Sequence, residues 1–275
     1  MLRAYVLPGV LKHSGTSMNT SYITSHKLCA GMVLLAASIG ASAQTAAPQS
    51  EAPAAAVEPA SSLSFNVGLV SDYRYRGISQ SRLKPAISGG ADYSHASGLY
   101  VGTWLSSIQW IKDAGGDGSV EWDVYGGYKG TAGPIGYDVG VLRYQYPSNA
   151  LAVSANTTEL YGAVTWEMLT VKYSHSVTNL FGFSDSKNSG YLDLSANFDL
   201  GNGWSLTPHV GHQWIKNNND AAYTDYAITL GKDFGNGFSA SAAIVGTDAS
   251  KALYATPSGR FTGRTGVVVG VKYSF

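Results

Sequence analysis

The feature that most constrains the fold is a series of about twelve segments in which apolar and polar residues alternate. Alternation with a period of two places apolar side chains on one face of an extended strand. Each segment is about 10 residues long, the length that a tilted strand needs to cross a bilayer. The segments lie at 63–77, 85–94, 99–108, 119–129, 135–146, 157–166, 169–177, 188–200, 204–215, 223–234, 238–248 and 265–275.

The links between the segments alternate in length along the chain. Even-numbered segments are followed by short links such as Gly201 to Gly203 and Gly235 to Gly237, and odd-numbered segments mostly by longer ones such as 109–118 and 249–264. Transmembrane barrels have short turns at one end and long loops at the other, whereas a soluble sandwich has no reason to sort its loops this way. We therefore predict an all-β fold over residues 63–275, a closed, antiparallel, up-and-down transmembrane β-barrel of about twelve strands.

The composition agrees with a barrel and excludes other classes. Charged residues make up 13 % of the chain, against roughly 25 % in ordinary soluble domains. After the N-terminal region no apolar run reaches the roughly 20 residues that a membrane helix needs, so the apolarity is distributed through the alternation. The absence of a basic patch argues against nucleic acid as a partner.

The N-terminal region has the pattern of a secretory signal peptide. Lys27 precedes an apolar stretch, and Ala41-Ser-Ala43 forms a cleavage site of small residues. We predict a signal peptide over residues 1–43, with 1–17 a candidate upstream-start extension because Met18 is the more natural start. Residues 44–62 are rich in Ala and Pro and are expected to form a flexible periplasmic lead-in. The single cysteine, Cys29, lies in the leader, so the mature chain is expected to lack thiols.

The face predicted to contact lipid has aromatic residues near both ends, as the girdles of outer-membrane barrels do. On the last strand this face ends in Tyr273 and Phe275, which we expect to be the signal for the barrel assembly machinery. At the outer end we expect Tyr73, Tyr75, Trp122, Trp214 and Tyr226. At the periplasmic end we expect Phe65, Tyr93, Tyr128, Trp166, Phe198, Trp204, Phe234, Phe238, Tyr273 and Phe275.

The opposite face contains most of the charges in the strands, because an ionised side chain facing hydrocarbon is costly. A barrel of about twelve strands can hold an open channel or be filled by its own side chains, and strand count alone favours the channel. The register of 135–146 stays open, since Arg143 and Gln145 share a face with Val139 and Val141. Candidate pore-lining residues are Asp72, Arg74, Arg76, Asp92, Glu121, Asp123, Glu159, Lys172, Asp193, Asp225 and Lys272.

Five motifs in order resemble the TorF family of putative porins, and the resemblance spans Leu63 to Phe275. The first is Ser71-Asp-Tyr-Arg-Tyr-Arg-Gly-Ile-Ser-Gln-Ser81, followed by Lys84-Pro-Ala86. The others are Ser97-Gly-Leu-Tyr-Val-Gly102, Glu121-Trp-Asp-Val-Tyr-Gly126, Tyr137-Asp-Val-Gly140 with Tyr144-Gln-Tyr-Pro147, and Gly190-Tyr-Leu-Asp-Leu194. The resemblance implies an outer-membrane barrel with pore activity and brings no catalytic residues with it.

The function that these patterns favour is a porin-like channel for passive diffusion of small polar or charged solutes across the outer membrane of a Gram-negative bacterium. We expect no enzymatic activity, cofactor or metal, and as partners outer-membrane lipid, the assembly machinery and a solute that the sequence does not identify. One alternative is a barrel enzyme acting on lipid or peptide, with His175 or His212 beside a serine. The other is a structural or adhesive barrel without an open pore.

Overall fold

The alternating segments form antiparallel strands throughout residues 61–275, the part of the chain that the computed structural model describes. The predicted signal peptide and nearly all of the lead-in lie outside the described residues. The strands are β1 (Ser61–Val70), β2 (Arg74–Tyr75), β3 (Ile78–Ser79), β4 (Ala86–His95), β5 (Leu99–Ser107), β6 (Val120–Ala132), β7 (Ile135–Gln145), β8 (Thr157–Trp166), β9 (Leu169–Ser176), β10 (Gly190–Ala196), β11 (Phe198–Gly201), β12 (Trp204–Trp214), β13 (Tyr223–Asp233), β14 (Phe238–Thr247) and β15 (Gly266–Ser274).

The wall is a single sheet closed on itself. Each wall strand pairs with its sequence neighbours, and the first strand, β1, pairs with the last, β15, from Asn66 with Ser274 to Val70 with Gly270. Strands β10 and β11 are one wall strand interrupted at Asn197, and β2 and β3 form a separate hairpin. Twelve strands therefore make up a closed antiparallel barrel, and the predicted fold class is confirmed.

The outer surface is apolar, as the alternation predicted. Val67, Leu69 and Ile228 in the middle of the wall are about half exposed. The ten aromatic residues predicted for the short-turn end are all exposed, by 40–63 %. At the other end Trp122, Trp214 and Tyr226 are also exposed. Such an outward band bounded by aromatic side chains is the surface that a barrel presents to lipid.

One prediction about the first strand was wrong. Strand β1 ends at Val70, and the residues predicted to continue it to 77 leave the wall. Tyr73, expected in the outer girdle, is 0 % exposed, and Tyr75 packs on buried aromatic side chains. Residues 71–81, called the inward segment below, fold into the barrel instead. The link 78–84 was predicted to be the shortest of the outside loops, and its first residues belong to this segment.

The structure also resolves the register of β7. Val139 and Val141 are exposed on the outer surface, whereas Asp138 and Tyr144 are buried. Arg143 and Gln145 therefore lie on the outer side near the long-loop end, where the Arg143 guanidinium donates hydrogen bonds to Gln145 and Thr158. Ionic side chains near a strand end reach the polar interface and are cheaper there than at the middle of a wall.

The two helical turns both lie in long connections. Helix α1 spans Trp110–Asp113, and a 3₁₀ turn spans Asn219–Ala221. Side chains of the long connections form buried clusters at this end of the barrel, such as Leu180 with Ile215 and Ala221. Within residues 61–275, no helix is long and apolar enough to cross a membrane.

The C-terminal residue helps to close the barrel. Phe65 and Phe275 exchange two backbone hydrogen bonds of 2.8 and 3.0 Å, and their rings stack at 5.8 Å. Deleting Phe275 should lower the free energy of unfolding by about 2–4 kcal/mol, since two hydrogen bonds and one aromatic contact are lost where β1 meets β15. Urea unfolding of refolded barrel in lipid vesicles measures this. Ser274→Ala keeps both backbone bonds and is the control; equal stability of the deletion and the control would show that closure does not depend on Phe275.

Candidate functional site

The inward segment turns at Arg76 and Gly77, between β2 and β3. Both residues have positive φ, 45° and 77°, which is the conformation of a two-residue type I′ hairpin turn. A side chain at position 77 would also have no room, since a Cβ atom there would lie 2.4 Å from Thr247 Cγ2 and 2.8 Å from Asp225 Cβ. Glycine at the tip thus allows the hairpin to press against β13 and β14.

Arg76 crosses the lumen and joins three wall strands. Its guanidinium donates to Glu159 Oε2 on β8 at 2.7 Å and to Gln213 Oε1 on β12 at 2.5 Å. It also lies 4.1 Å from the ring centroid of Tyr191 on β10. Arg76 and Glu159 are both almost completely buried. A buried pair of this kind is strongly destabilised if one partner is removed.

Two tyrosines of the inward segment contact the neighbouring wall strands β6 and β7. The Tyr73 hydroxyl donates to Glu121 Oε1 on β6 at 2.6 Å, and Tyr75 shares a 2.6 Å hydrogen bond with Tyr144 on β7. Burial, and next the charge of Glu121, raise the pKa of the Tyr73 phenol well above its ordinary value. The phenol therefore stays protonated and acts as a donor.

Apolar side chains complete the packing around these tyrosines. Tyr73, Trp104, Tyr125, Leu142 and Tyr144 belong to one buried cluster at the long-loop end. The Tyr73 ring meets Trp104 edge-on at a centroid distance of 5.3 Å. The cluster is a hydrophobic core inside the barrel, built from the wall, the inward segment and the long connections. It fills this part of the lumen in the described conformation.

The first turn of the inward segment has its own ion pair. Arg74 Nε lies 2.7 Å from Asp72 Oδ2, and the same guanidinium donates to the carbonyls of Gly77 and Arg264. Asp72 also accepts hydrogen bonds from Ser79 and Ser81. Asp72 is therefore neutralised and held by its own segment. It was predicted on the first wall strand and lies instead in the inward segment, just before the hairpin.

Two carboxylates of β6 are buried without a cationic partner. Asp123 is 0 % exposed, and neither of its oxygens has a hydrogen-bond partner among the described residues. Glu121 is 1 % exposed and is bonded to Tyr73 through Oε1. Burying an ionised carboxylate without a partner costs several kcal/mol. Asp123 in particular is an unsatisfied buried polar group, which costs free energy in the closed packing.

A second polar cluster lies on the inner faces of β10, β12 and β13. His209 Nε2 lies 2.7 Å from Asp193 Oδ2, and its Nδ1 lies 3.6 Å from Asp225 Oδ1. The Tyr191 hydroxyl donates to Asp225 at 3.0 Å. Because Arg76 lies over the Tyr191 ring, this cluster is continuous with the contacts of the inward segment.

Three further predicted residues lie outside the contacts of Arg76 and the tyrosines of the inward segment. Asp92 accepts a hydrogen bond from Tyr125, and Lys172 lies 4.4 Å from the Tyr161 ring centroid. Lys272 lines a cavity of about 60 Å³ beside β1, β14 and β15. All eleven predicted residues are thus on the inner side of the barrel. Their role in lining a conducting pore stays a prediction, because Glu121, Asp123, Glu159 and Asp225 are at most 2 % exposed in this conformation.

Several contact residues were not among the predicted site residues. Tyr144, Tyr161, Tyr191 and Gln213 supply phenol, ring or amide groups to the inward segment and the charged side chains. The sequence indicated these residues in part, because the alternation places each of them on the inner face near charges that were predicted to line the lumen. Sequence reasoning assigned tyrosines to the girdles and charges to the lumen, and so missed the tyrosines that face inward.

The histidines proposed for an alternative enzyme are not arranged as a catalytic pair. His175 Nε2 lies 3.2 Å from Asn188 Oδ1, and His212 Nδ1 lies 2.9 Å from Thr224 Oγ1. Neither ring is hydrogen-bonded to a serine or a carboxylate of residues 61–275. In the same range no group of three or more His, Cys, Asp or Glu side chains is placed to hold a metal ion.

An apolar exterior and a charged, tyrosine-rich interior define the chain as a transmembrane β-barrel. It belongs to the family described as "Bacterial protein of unknown function (Gcw_chp)", whose model matches residues 54–275. The TorF name that the motifs indicate stays a prediction. A search of curated proteins found no match.

Solved porin structures share the fold. The structure described as "KdgM porin" and that of the "KdgM porin in complex with disordered oligogalacturonate" each have a TM-score of 0.50 at 10 % identity, with 78 % of this chain and 99 % of theirs covered. The NanC porin has a TM-score of 0.47 at 10 % identity over the same shares of the two chains. At this identity the similarity shows the fold alone.

The first test of the site concerns Arg76. Arg76→Met should lower the free energy of unfolding by about 3–5 kcal/mol, because Glu159 is left as an unpaired buried charge. Adding Glu159→Gln should restore part of the loss. The control is Arg82→Met, since Arg82 is exposed to solvent in its pair with Asp113 and such a pair contributes little to stability. Urea unfolding measures both; equal losses would show that Arg76 does not hold the inward segment.

The second test concerns Asp123. Asp123→Asn should raise the free energy of unfolding by about 1–3 kcal/mol, since the substitution removes a buried, unpartnered charge at constant shape. Asp225→Asn is the contrasting variant, because Asp225 accepts a hydrogen bond from Tyr191 and lies near His209. That variant should be neutral or destabilising. A destabilised Asp123→Asn barrel would show that a counter-charge is present at Asp123.

Proposed function

We propose that this chain is a porin-like channel of the bacterial outer membrane for passive diffusion of small polar or charged solutes. The observation that supports the proposal best is the closed barrel of twelve strands. Its outer surface is apolar and bounded by aromatic side chains, and the charged side chains in the middle of the wall point into the lumen. The fold shared with porins and the TorF-like motifs also support it. Diffusion down a gradient needs neither a cofactor nor an energy source.

The inward segment determines how such a channel would conduct. It is held by contacts to β6, β7, β8 and β12, so the described conformation is narrowed at the long-loop end. We propose that solutes pass when the segment shifts, and that Arg76 is its main anchor. Asp123, which has no partner among the described residues, makes the closed packing less stable and so favours a shift of the inward segment.

The filled lumen also favours a second candidate, a structural or adhesive barrel without an open pore. In that case the inward segment is a permanent core, and the long connections at the same end are the functional surface. The two candidates differ in one measurable property, the conductance of a membrane that contains the protein.

We propose in addition that Tyr273 and Phe275 are recognised by the assembly machinery of the outer membrane, and that outer-membrane lipid surrounds the wall. Both side chains are exposed on the outer surface, next to the seam between β1 and β15. An aromatic pair at the last strand would therefore be accessible before closure.

Planar bilayer recording tests the channel. The wild-type protein should give stepwise conductance with frequent closures, and Arg76→Met should lengthen the open times or enlarge the steps, because the segment loses its cross-lumen anchor. Arg82→Met should behave as wild type, since Arg82 lies outside the lumenal contacts. A bilayer that stays sealed over many insertions of the wild type and of Arg76→Met would contradict the channel and favour the sealed barrel.

A further inference from the structure

A cavity in the lumen lies beside β14, β15 and β1, and the residues that line it point to a ligand. We infer that the inner surface of β14, β15 and β1 forms a subsite for a small anion, such as a carboxylate, bounded by Lys272 and Arg74. The inference rests on the proposed channel function in that the subsite would lie on the solute path, but the subsite itself can be detected without conductance.

The two sides of the lumen differ in the size of their inner side chains. On one side, bulky phenols project inward, and two of them, Tyr144 and Tyr191, contact the inward segment. On the other side, the inner faces present glycine, alanine and serine, together with the valines Val70, Val245 and Val268. The bulky side includes Tyr125, Tyr144, Tyr161 and Tyr191; the small side includes Gly68, Ser239, Ser241, Ala243 and Gly270.

One cavity lies where the small residues are. The cavity of about 60 Å³ is lined by Ser239, Ser241, Gly270 and Lys272, with Asp72 and Arg74 of the inward segment also contributing to its lining. A cavity of this size has room for a few water molecules or a carboxylate group. Ser241 is partly exposed, whereas the inward-facing Ser174 on β9 is 4 % exposed.

One cation beside the cavity has no carboxylate within ion-pair distance among residues 61–275. The Arg74 guanidinium is paired with Asp72 at 2.7 Å, so these two charges compensate each other. Lys272 lines the same cavity and lies beyond ion-pair distance of every carboxylate in residues 61–275; Asp92, whose charge acts on it from farther away, accepts a hydrogen bond from Tyr125. A lone cation in a partly desolvated site attracts an anion more strongly than it would in bulk water.

Neutral donors are present beside that cation. The hydroxyls of Ser239 and Ser241 line the cavity and are available to donate to an oxygen of the ligand. The Arg74 guanidinium can also exchange part of its contact with Asp72 for a second carboxylate, because guanidinium groups have five N–H donors. Together these groups match a small carboxylate better than a cation or an apolar molecule.

Cysteine modification tests the subsite directly. In a Cys29→Ser background, which leaves no other cysteine in the chain, we compare Ser241→Cys with Ser174→Cys. The two variants introduce the same group on opposite inner walls. The negatively charged sulfonatoethyl methanethiosulfonate should modify position 241 at least about tenfold faster than position 174, because only the first is accessible.

The charge of the subsite is tested with a second reagent. At position 241 the rate ratio of the sulfonatoethyl reagent to the positively charged trimethylammonioethyl reagent should fall about fivefold or more when Lys272→Gln is added. Lys129→Gln is the matched control, because Lys129 is a lumenal lysine against the Tyr100 ring. It should leave the ratio unchanged.

The outcomes separate this inference from the proposed function. Equal modification at positions 174 and 241, or a reagent ratio that is insensitive to Lys272→Gln, would overturn the subsite even in a protein that conducts. Conversely, a protein that is labelled as expected but never conducts keeps the anion subsite and overturns the channel. Free acetate should slow the modification at position 241 if the subsite binds carboxylates, and a lack of protection would also count against it.

Discussion

The structure depends on the pairing of β1 with β15. A wall in hydrocarbon has no water for its backbone N–H and C=O groups, so every strand must have two neighbours. Pairing of the first strand with the last removes both edges of the sheet, and the Phe65 and Phe275 backbones complete the seam at the short-turn end. Closure also gives the wall two surfaces. The outer surface faces lipid, and the inner surface encloses a limited volume.

The limited inner volume explains the density of polar contacts inside the barrel. The inward segment brings Asp72, Arg74 and Arg76 into a space that already contains Glu121 and Glu159. Most of these charges find partners, because charges withdrawn from water are stable only when they are paired and hydrogen-bonded. Asp123 has no hydrogen-bond partner among the described residues, and its burial lowers the stability of the closed packing.

The size of the inner side chains also makes two sides of the lumen different. Phenols on β6 to β10 hold the inward segment on one side, and small residues on β14, β15 and β1 leave a cavity on the other. A channel and an anion subsite would share that side. In a sealed barrel the same cavity would not lie on a path through the membrane. Passage of solute therefore depends on movement of residues 71–81.

The fold could be predicted from the sequence alone, because period-two alternation, segment length and the sorting of short and long links are local properties of the chain. The inward orientation of Glu121, Glu159 and Lys272 followed from the cost of placing charge in hydrocarbon. The path of residues 71–81 was decided only by tertiary structure. Their alternation is the same in a wall strand and in a hairpin inside the lumen, and only contacts with Glu121, Glu159 and Gln213, 48 to 137 residues away in sequence, distinguish the two. The sequence by itself thus determined the barrel wall, and the packing inside it determined which side of the lumen is filled and which stays open.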